Sequence, residues 1–385
     1  MDNACRIDQL RLAMVREDVD LFFTQCRPNV QYLTGFPGGG GGLLVTDEEA
    51  FLLLDGRFTA QAAESVPGFP VLDARKPTLD SVADFAARRG LRSLGIEADR
   101  MVQAHVQRLR DLCTGCEIRP LTGLVEGIRV VKDAAEIEAL EGACAVAAEA
   151  LAAVRPAFQP GRTEKEVEDL LEAAIRAAGG ERSAFLTSVL AGERSAQPHG
   201  RPSDRRLRPG DVLLLDFGAR VDGYLSDLTR VFLLPGADEE WKRLYAIVLE
   251  AQTRAIEAVA PGRPLADVDR AARETIADAG LGESFFHAVG HGVGRELHEA
   301  PGVRAGASEE MEPGMVFTVE PGVYLPGRGG IRIEDMVLVE ETGCRVLSSR
   351  LPRGLDDALL DTFSGSKSGR DVLPCMDVQK RLSGV

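Results

Sequence analysis

The chain has 385 residues, 44% of them hydrophobic, and a formal net charge of −15. That length suits two domains, each with a sizeable core. An acidic balance with no basic block argues against a nucleic acid or an anionic membrane surface as partner. The opening MDNACRIDQLRLAM is charged and has no apolar h-region, and no apolar run approaches about 18 residues, so neither a signal peptide nor a membrane span is expected and the location is read as cytoplasmic. Seven cysteines, an odd number, fit reduced thiols. Cys113-Thr-Gly-Cys116 has no second pair and no nearby histidine to complete a zinc site, so these cysteines are read as structural or incidental rather than redox or metal-binding.

Residues 6 to about 126 have an α/β pattern. Helical spacing runs from Arg6 to Asp18, and Val19 to Thr24 reads as a strand. Asn29 to Phe36 is a turn or short helix leading into Pro37 and the glycines Gly38–Gly42. No Lys-Ser/Thr follows that run and a strand comes next, so it fails as a phosphate loop and is read as a mobile loop near a site mouth. Leu43–Thr46 and Ala50–Leu54 form a hairpin pair. Helices near 58–65, 78–89 and 99–113 then alternate with strands near Val71, Leu94 and Ile118. His105 has no ligand-spaced partner and is read as an ordinary histidine.

A long helix is expected from about Ala134 to Val154, with Glu136, Glu138 and Glu141 on a solvated face. Thr163-Glu-Lys-Glu166 is a capping-box start for the next helix. Phe185 to Ala191 reads as a strand, and a loop carries His199. In LLLDFGARVDGYLSDLTR, two extended runs flank Val221-Asp222-Gly223 and deliver Asp216 and Asp227. Asp-Gly between such runs signals a hairpin. Helices follow over Trp241–Val259 and Leu265–Ala279. Three of the five histidines, His287, His291 and His298, then fall within twelve residues among closely spaced glycines. A second turn-linked pair of extended runs delivers Glu320 and Glu334.

The two hairpins match. Pro209, Gly210, Val212, Asp216 and Gly218 align with Pro313, Gly314, Val316, Glu320 and Gly322, and Pro160-Gly-Arg aligns with Pro261-Gly-Arg. Residues from about 140 to 345 therefore read as two copies of a helix–helix–hairpin unit whose acids meet at a common interface. Carboxylates held that close repel unless a cation lies between them. Four carboxylates and one or two histidines can hold two divalent metals about 3.5–4 Å apart. From these residues the chemistry reached is metal-assisted hydrolysis of an amide or ester. Proline is not implied by them.

Asp216-Phe-Gly, Tyr224-Leu-Ser-Asp227-Leu-Thr-Arg230, His287-Ala-Val-Gly-His291-Gly-Val-Gly, His298-Glu-Ala-Pro, Glu320-Pro-Gly and Arg332-Ile-Glu334-Asp together resemble the M24 metallopeptidase family, in particular its Xaa-Pro aminopeptidase and Xaa-Pro dipeptidase (prolidase) branch. Tyr32-Leu-Thr-Gly-Phe36 resembles a segment of that family's N-terminal domain. The resemblance implies an α/β (α+β) chain, with a creatinase-type N-terminal domain over residues 1–126 and a pita-bread catalytic domain with an internal pseudo-twofold repeat over 127–352; after that the pattern stops, Ser364-Gly-Ser-Lys-Ser-Gly is linker-like, and 353–385 is read as a mobile C-terminal extension. It implies metal ligands Asp216, Asp227, His291, Glu320 and Glu334, with Glu320 also the general base. Outer histidines His199, His287 and His298 would bind substrate and stabilise the tetrahedral intermediate, and Arg332 would lie near the proline end. Two divalent ions are implied, Mn foremost, with Co or Zn also used. The implied substrate is a proline-containing peptide, and the implied assembly is a homodimer or homotetramer. Ser195, Val221, Val231 and the tail depart from the family pattern without touching the ligand set. A metal-dependent hydrolase or lyase of a small amide or osmolyte would share the fold. A non-catalytic binding module on the same fold would have lost ligands and gained long acidic segments, and neither feature is present.

Overall fold

The computed structural model describes residues 3–73 and 78–360. The chain begins with helix α1 (Asn3–Arg16), strand β1 (Leu21–Thr24), α2 (Arg27–Thr34), β2 (Gly41–Thr46), β3 (Ala50–Leu54), α3 (Thr59–Ser65), β4 (Val71–Asp73), α4 (Thr78–Arg89), β5 (Ser93–Glu97), α5 (Gln103–Leu112) and β6 (Glu117–Leu121). The six strands form one sheet in the order β4-β3-β2-β1-β5-β6. Alternation along β1 divides the core. Phe22 packs with Ile7, Leu10 and Leu33 on one face, while Leu21 and Phe23 pack with Val82, Ile96 and Leu109 on the other.

The expected glycine loop is shorter than the run that suggested it. Gly41 and Gly42 already belong to β2. A Cβ on Gly41 would stand 2.1 Å from the Leu53 carbonyl oxygen, and one on Gly42 would stand 2.7 Å from that of Thr24. Close strand approach therefore explains these two glycines. None of Gly38–Gly42 lines the cavity described below. His105 is exposed on α5, and the cysteines of the described residues are free thiols, Cys113 buried.

Helix α6 (Leu124–Arg129) leads into α7 (Ala134–Val154), α8 (Glu164–Ala177), β7 (Arg182–Ser183), β8 (Ser188–Ala191), β9 (Val212–Phe217), β10 (Ala219–Val221), β11 (Tyr224–Leu225) and β12 (Leu228–Leu233). Thr163 and Glu166 close the expected capping box on α8. Val167, Leu171 and Ile175 are buried one turn apart, which gives α8 a single apolar stripe facing the core. Each such side chain contributes roughly 1.5–3 kcal/mol by leaving water.

One solvated-face expectation is corrected on α7. Glu138 is exposed and Glu141 half-buried, but Glu136 is buried. Its carboxylate accepts from Asp133 N (3.1 Å) and from Tyr224 OH (2.9 Å), and it lies 3.3 Å from Arg6 of α1. It serves as the back half of a capping box with Asp133 and as a seam between the two parts of the chain. Burial leads in pushing this carboxyl up from its ordinary range.

The second unit is α9 (Glu239–Glu257), α10 (Ala266–Asp278), β13 (Gly290–Gly292), β14 (Glu299–Val303), β15 (Val316–Val319), β16 (Gly322–Leu325), β17 (Gly329–Arg332), β18 (Asp335–Val339), β19 (Cys344–Val346) and α11 (Leu355–Ala358). The repeat extends to backbone detail. Gly161 and Gly262 both have positive φ, and their N–H groups donate to Leu207 O (2.9 Å) and Met311 O (2.8 Å), which are matched positions. Gly210 and Gly314, also matched, share positive φ as well. Residues 353–360 dock across both units, with Tyr245 OH donating to Arg353 O, Leu360 N donating to Leu233 O and Ala358 in the core. The rest of the expected extension, 361–385, lies outside the described residues. No helix among the described residues is long and apolar enough to cross a membrane.

Candidate metal centre

Each acidic hairpin is one continuous ladder that changes sheets midway. Asp216 pairs with Thr229 between β9 and β12, and the same register resumes at Arg220 with Leu225 between β10 and β11. In the second hairpin Val319 pairs with Asp335, and the register resumes at Gly322 with Arg332. Asp227, Glu320 and Glu334 occupy the breaks, where no ladder partner restrains the side chain. A glycine is needed at the first break, since a Cβ on Gly218 would lie 1.8 Å from Ser226 O.

The two breaks are bonded to each other. Glu334 N donates to Thr229 O (3.2 Å), and Thr229 Oγ1 donates to Glu334 Oε2 (2.6 Å). Arg230 is buried and donates to Glu334 O (2.6 Å), Leu351 O (2.8 Å) and Asp335 Oδ1 (2.6 Å). The halves of the repeat thus carry their acids to one place.

Asp227, His291 and Glu334 present ligand atoms all within 4.8 Å of one another. Glu320 Oε1 is 3.4 Å from His291 Nε2, and Asp227 Oδ2 is 3.5 Å from the same nitrogen. Asp216 is turned toward Arg332, with Oδ2 2.7 Å from a guanidinium nitrogen. Thr318 Oγ1 both accepts from His291 N (3.1 Å) and donates to Glu320 Oε1 (3.0 Å), fixing the two side chains relative to each other.

The donor set fits a cation on one decisive point. His291 Nδ1 lies 3.1 Å from Gly292 O, so Nδ1 carries the proton and Nε2 presents a lone pair. That lone pair faces two carboxylate oxygens. Three acceptors pointing at one space repel unless a metal ion or protons lie between them. Burial first, and then the neighbouring carboxylates, push Asp227 and Glu334 well above the usual carboxylate range. Burial likewise raises Glu320 to about 7, against the pull of Arg332.

Carboxyls raised in the folded state hold protons that a metal must displace. Titrating Mn into chelator-treated protein at pH 7 is expected to release at least about one proton per chain, read by calorimetry in buffers of different ionisation enthalpy. Heat independent of buffer would show that the carboxyls are already ionised. The metal-free chain should also lose stability as pH rises. Stability from a raised carboxyl is full below its unfolded value of about 4 and disappears as pH passes its folded value, near 7 for Glu320.

A cavity of about 930 Å³ opens over these groups. His199 and His298 are exposed on its wall, and the His298 ring lies 4.1 Å from that of His291. His287 is more constrained. Its Nδ1 lies 2.7 Å from Ala288 O, so Nδ1 is the protonated nitrogen, and Tyr324 OH, 3.0 Å from Nε2, donates to it. Burial lowers His287 to about 4, so the ring is neutral at neutral pH. Arg332 donates to Thr229 Oγ1, Tyr324 OH and Asp216 Oδ2 at 3.0, 3.0 and 2.7 Å. One N–H on each terminal nitrogen remains for another acceptor. Sequence reasoning missed Tyr324, Thr229 and Thr318, whose residue types carry no signal outside this geometry. Ser195 is buried, donates to Gly192 O (2.7 Å) and accepts from Gly330 N (2.8 Å), anchoring the His199 loop to β17.

The model of the family described as metallopeptidase family M24 matches residues 138–341, and that of the creatinase/prolidase N-terminal domain matches residues 6–131. The Xaa-Pro dipeptidase of Pyrococcus furiosus is 34% identical over 89% of this chain and 97% of its own length. Among solved structures, an Xaa-Pro dipeptidase from Bacillus anthracis superposes with TM-score 0.90 at 34% identity, covering 93% of this chain and all (100%) of that one. An X-Pro aminopeptidase from Thermotoga maritima gives TM-score 0.83 at 34% identity, covering 89% and 99%.

Proposed function

The chain belongs to metallopeptidase family M24, and on that premise we propose that it hydrolyses the peptide bond preceding proline, in Xaa-Pro dipeptides or N-terminal Xaa-Pro peptides, with two divalent metal ions, Mn foremost. The observation that carries this reading is the convergence of Asp227, His291, Glu320 and Glu334, with the His291 Nε2 lone pair aimed at the carboxylates. Asp216 completes the ligand set by turning from Arg332. When bound, the metal pair would acidify the attacking water and polarise the scissile carbonyl.

The protein's own groups do the rest. Glu320 takes the proton from the attacking water and passes it to the leaving proline nitrogen, with Thr318 holding its carboxylate in line. His199 and His298, exposed over the ligands, donate to the carbonyl oxygen as it gains charge. His287 orients Tyr324, which in turn accepts from Arg332. The two uncommitted N–H groups of Arg332 face the proline end of the substrate. Leu186 and Phe286, 65% and 64% exposed on the cavity wall, offer an apolar surface to the residue before proline.

The test is a paired assay of the Mn-loaded chain on Ala-Pro and Ala-Pro-Ala, with a chelator control. Cleavage of the dipeptide alone marks a dipeptidase, and efficient tripeptide cleavage marks an aminopeptidase. Failure on both with metal bound overturns the reading.

A further inference from the structure

A second polar cavity, of about 680 Å³, lies at the seam between the N-terminal part and the catalytic part and shares no lining residue with the cavity over Asp227, His291 and Glu334. Its walls carry Arg27 from α2, Arg182 and Arg220 from β7 and β10, and Arg295 from the loop after β13, against only two carboxylates, Glu181 and Asp222. Four guanidiniums against two acids is a local positive excess in a chain of net charge −15.

The arrangement is unfavourable for the protein alone. Arg182 and Arg220 are direct cross-strand partners, and like charges in that relation destabilise a sheet. Glu181 is already shared, accepting from Gly223 N at 2.9 Å and lying 3.1 Å from Arg220 Nε. Even so, Arg220 Nε is buried without an aligned hydrogen bond. Burial, opposed by Glu181 and reinforced by the charges of Arg182, Arg27 and Arg295, holds Arg220 below the ordinary arginine range. Arg295 is fixed in place, its guanidinium 4.4 Å over the Tyr224 ring and Nε donating to Tyr224 OH at 3.2 Å. Gly223 keeps the approach open, since a Cβ there would stand 2.9 Å from Arg295.

From this convergence of Arg27, Arg182, Arg220 and Arg295 on one cavity we infer that the seam is a binding site for a doubly charged oxyanion of the phosphate class. Such an anion accepts several N–H bonds at once from planar guanidiniums and cancels the repulsion between Arg182 and Arg220. It also ties α2 to the β10–β11 tip, because Arg27 and Arg220 come from the two sides of the seam. The site is independent of peptide hydrolysis, and its test reads binding alone.

The experiment is thermal denaturation of the Mn-loaded full chain during titration with sodium sulfate, ionic strength held constant with sodium chloride. Glycerol phosphate in a parallel arm distinguishes a bare oxyanion from an esterified phosphate. The wild type should gain stability from sulfate beyond the chloride control. Arg27→Gln/Arg182→Gln removes two exposed side chains without disturbing the core. It should raise the half-saturating sulfate concentration by at least about tenfold, and Arg295→Gln should act in the same direction. Binding at the metal centre would persist in these variants, so a sulfate response equal in variant and wild type overturns the proposal. No response beyond chloride in the wild type overturns it too. So does a sulfate-insensitive chain whose oligomeric state changes in Arg27→Gln/Arg182→Gln, which would assign the arginines to a subunit contact.

Discussion

Glu320→Gln is expected to lower kcat/KM on Ala-Pro by about 10²–10⁴-fold or more, with the fold intact. The substitution is nearly isosteric, and Thr318 Oγ1 can still donate to the remaining carbonyl oxygen of the amide. It removes one of the carboxylates that crowd Asp227 and Glu334, so the metal-free variant should melt no lower than the wild type. What it takes away is the carboxylate beside His291 that is proposed to accept the proton. Metal analysis separates the two parts of its role. Loss of turnover with metal retained assigns the proton transfer to Glu320, and loss of both assigns it chiefly to ligation. Turnover at the wild-type rate would remove Glu320 from the reaction.

Arg230→Met should cost about 3–5 kcal/mol, the usual penalty for stranding one member of a buried ion pair. Arg230 is 2% exposed and Asp335 1%. Four backbone carbonyls, of Glu334, Leu351, Pro352 and Thr229, also lose a donor. For a catalytic unit of this size the unfolding midpoint should fall by about 10 °C, read by scanning calorimetry. Arg230→Met/Asp335→Leu should recover part of that loss, because the stranded charge goes with its partner. Ser348 and Gln252, which donate to Asp335, limit the recovery. Activity should fall with stability in the single variant, since Arg230 holds the carbonyl of Glu334, a proposed metal ligand. A midpoint within about 2 °C of the wild type would show that the hairpin junction does not depend on this pair.

Much of the site was legible in the sequence because its signals are local. Turn residues between extended runs predict hairpins wherever they occur, and both acidic hairpins formed around Asp222-Gly223 and Pro326-Gly327. The internal repeat showed in matched Pro-Gly pairs, whose glycines adopt the same left-handed conformation in both copies. A repeat of that kind places equivalent residues at equivalent points, so the sequence by itself pairs Asp216 with Glu320.

What the tertiary structure alone decided depends on contacts between residues far apart in the chain. Glu136 looked like one of three solvated acids on a helix. Arg6, 130 positions earlier, and Tyr224, 88 positions later, turn it into a buried seam. The carboxylates that face His291 Nε2 come from Asp227, 64 positions earlier, and Glu320, 29 positions later. Tyr324 joins His287 to Arg332 only because β16 and β17 pair beneath the histidine loop. Four arginines scattered from 27 to 295 carry no motif, and they become a cluster because α2, β7, β10 and the loop after β13 line one cavity. Local periodicity records what each segment does with its own neighbours. The chemistry of the assembled site rests on charges and lone pairs that meet only after those segments pack, and that information is held in the tertiary structure alone.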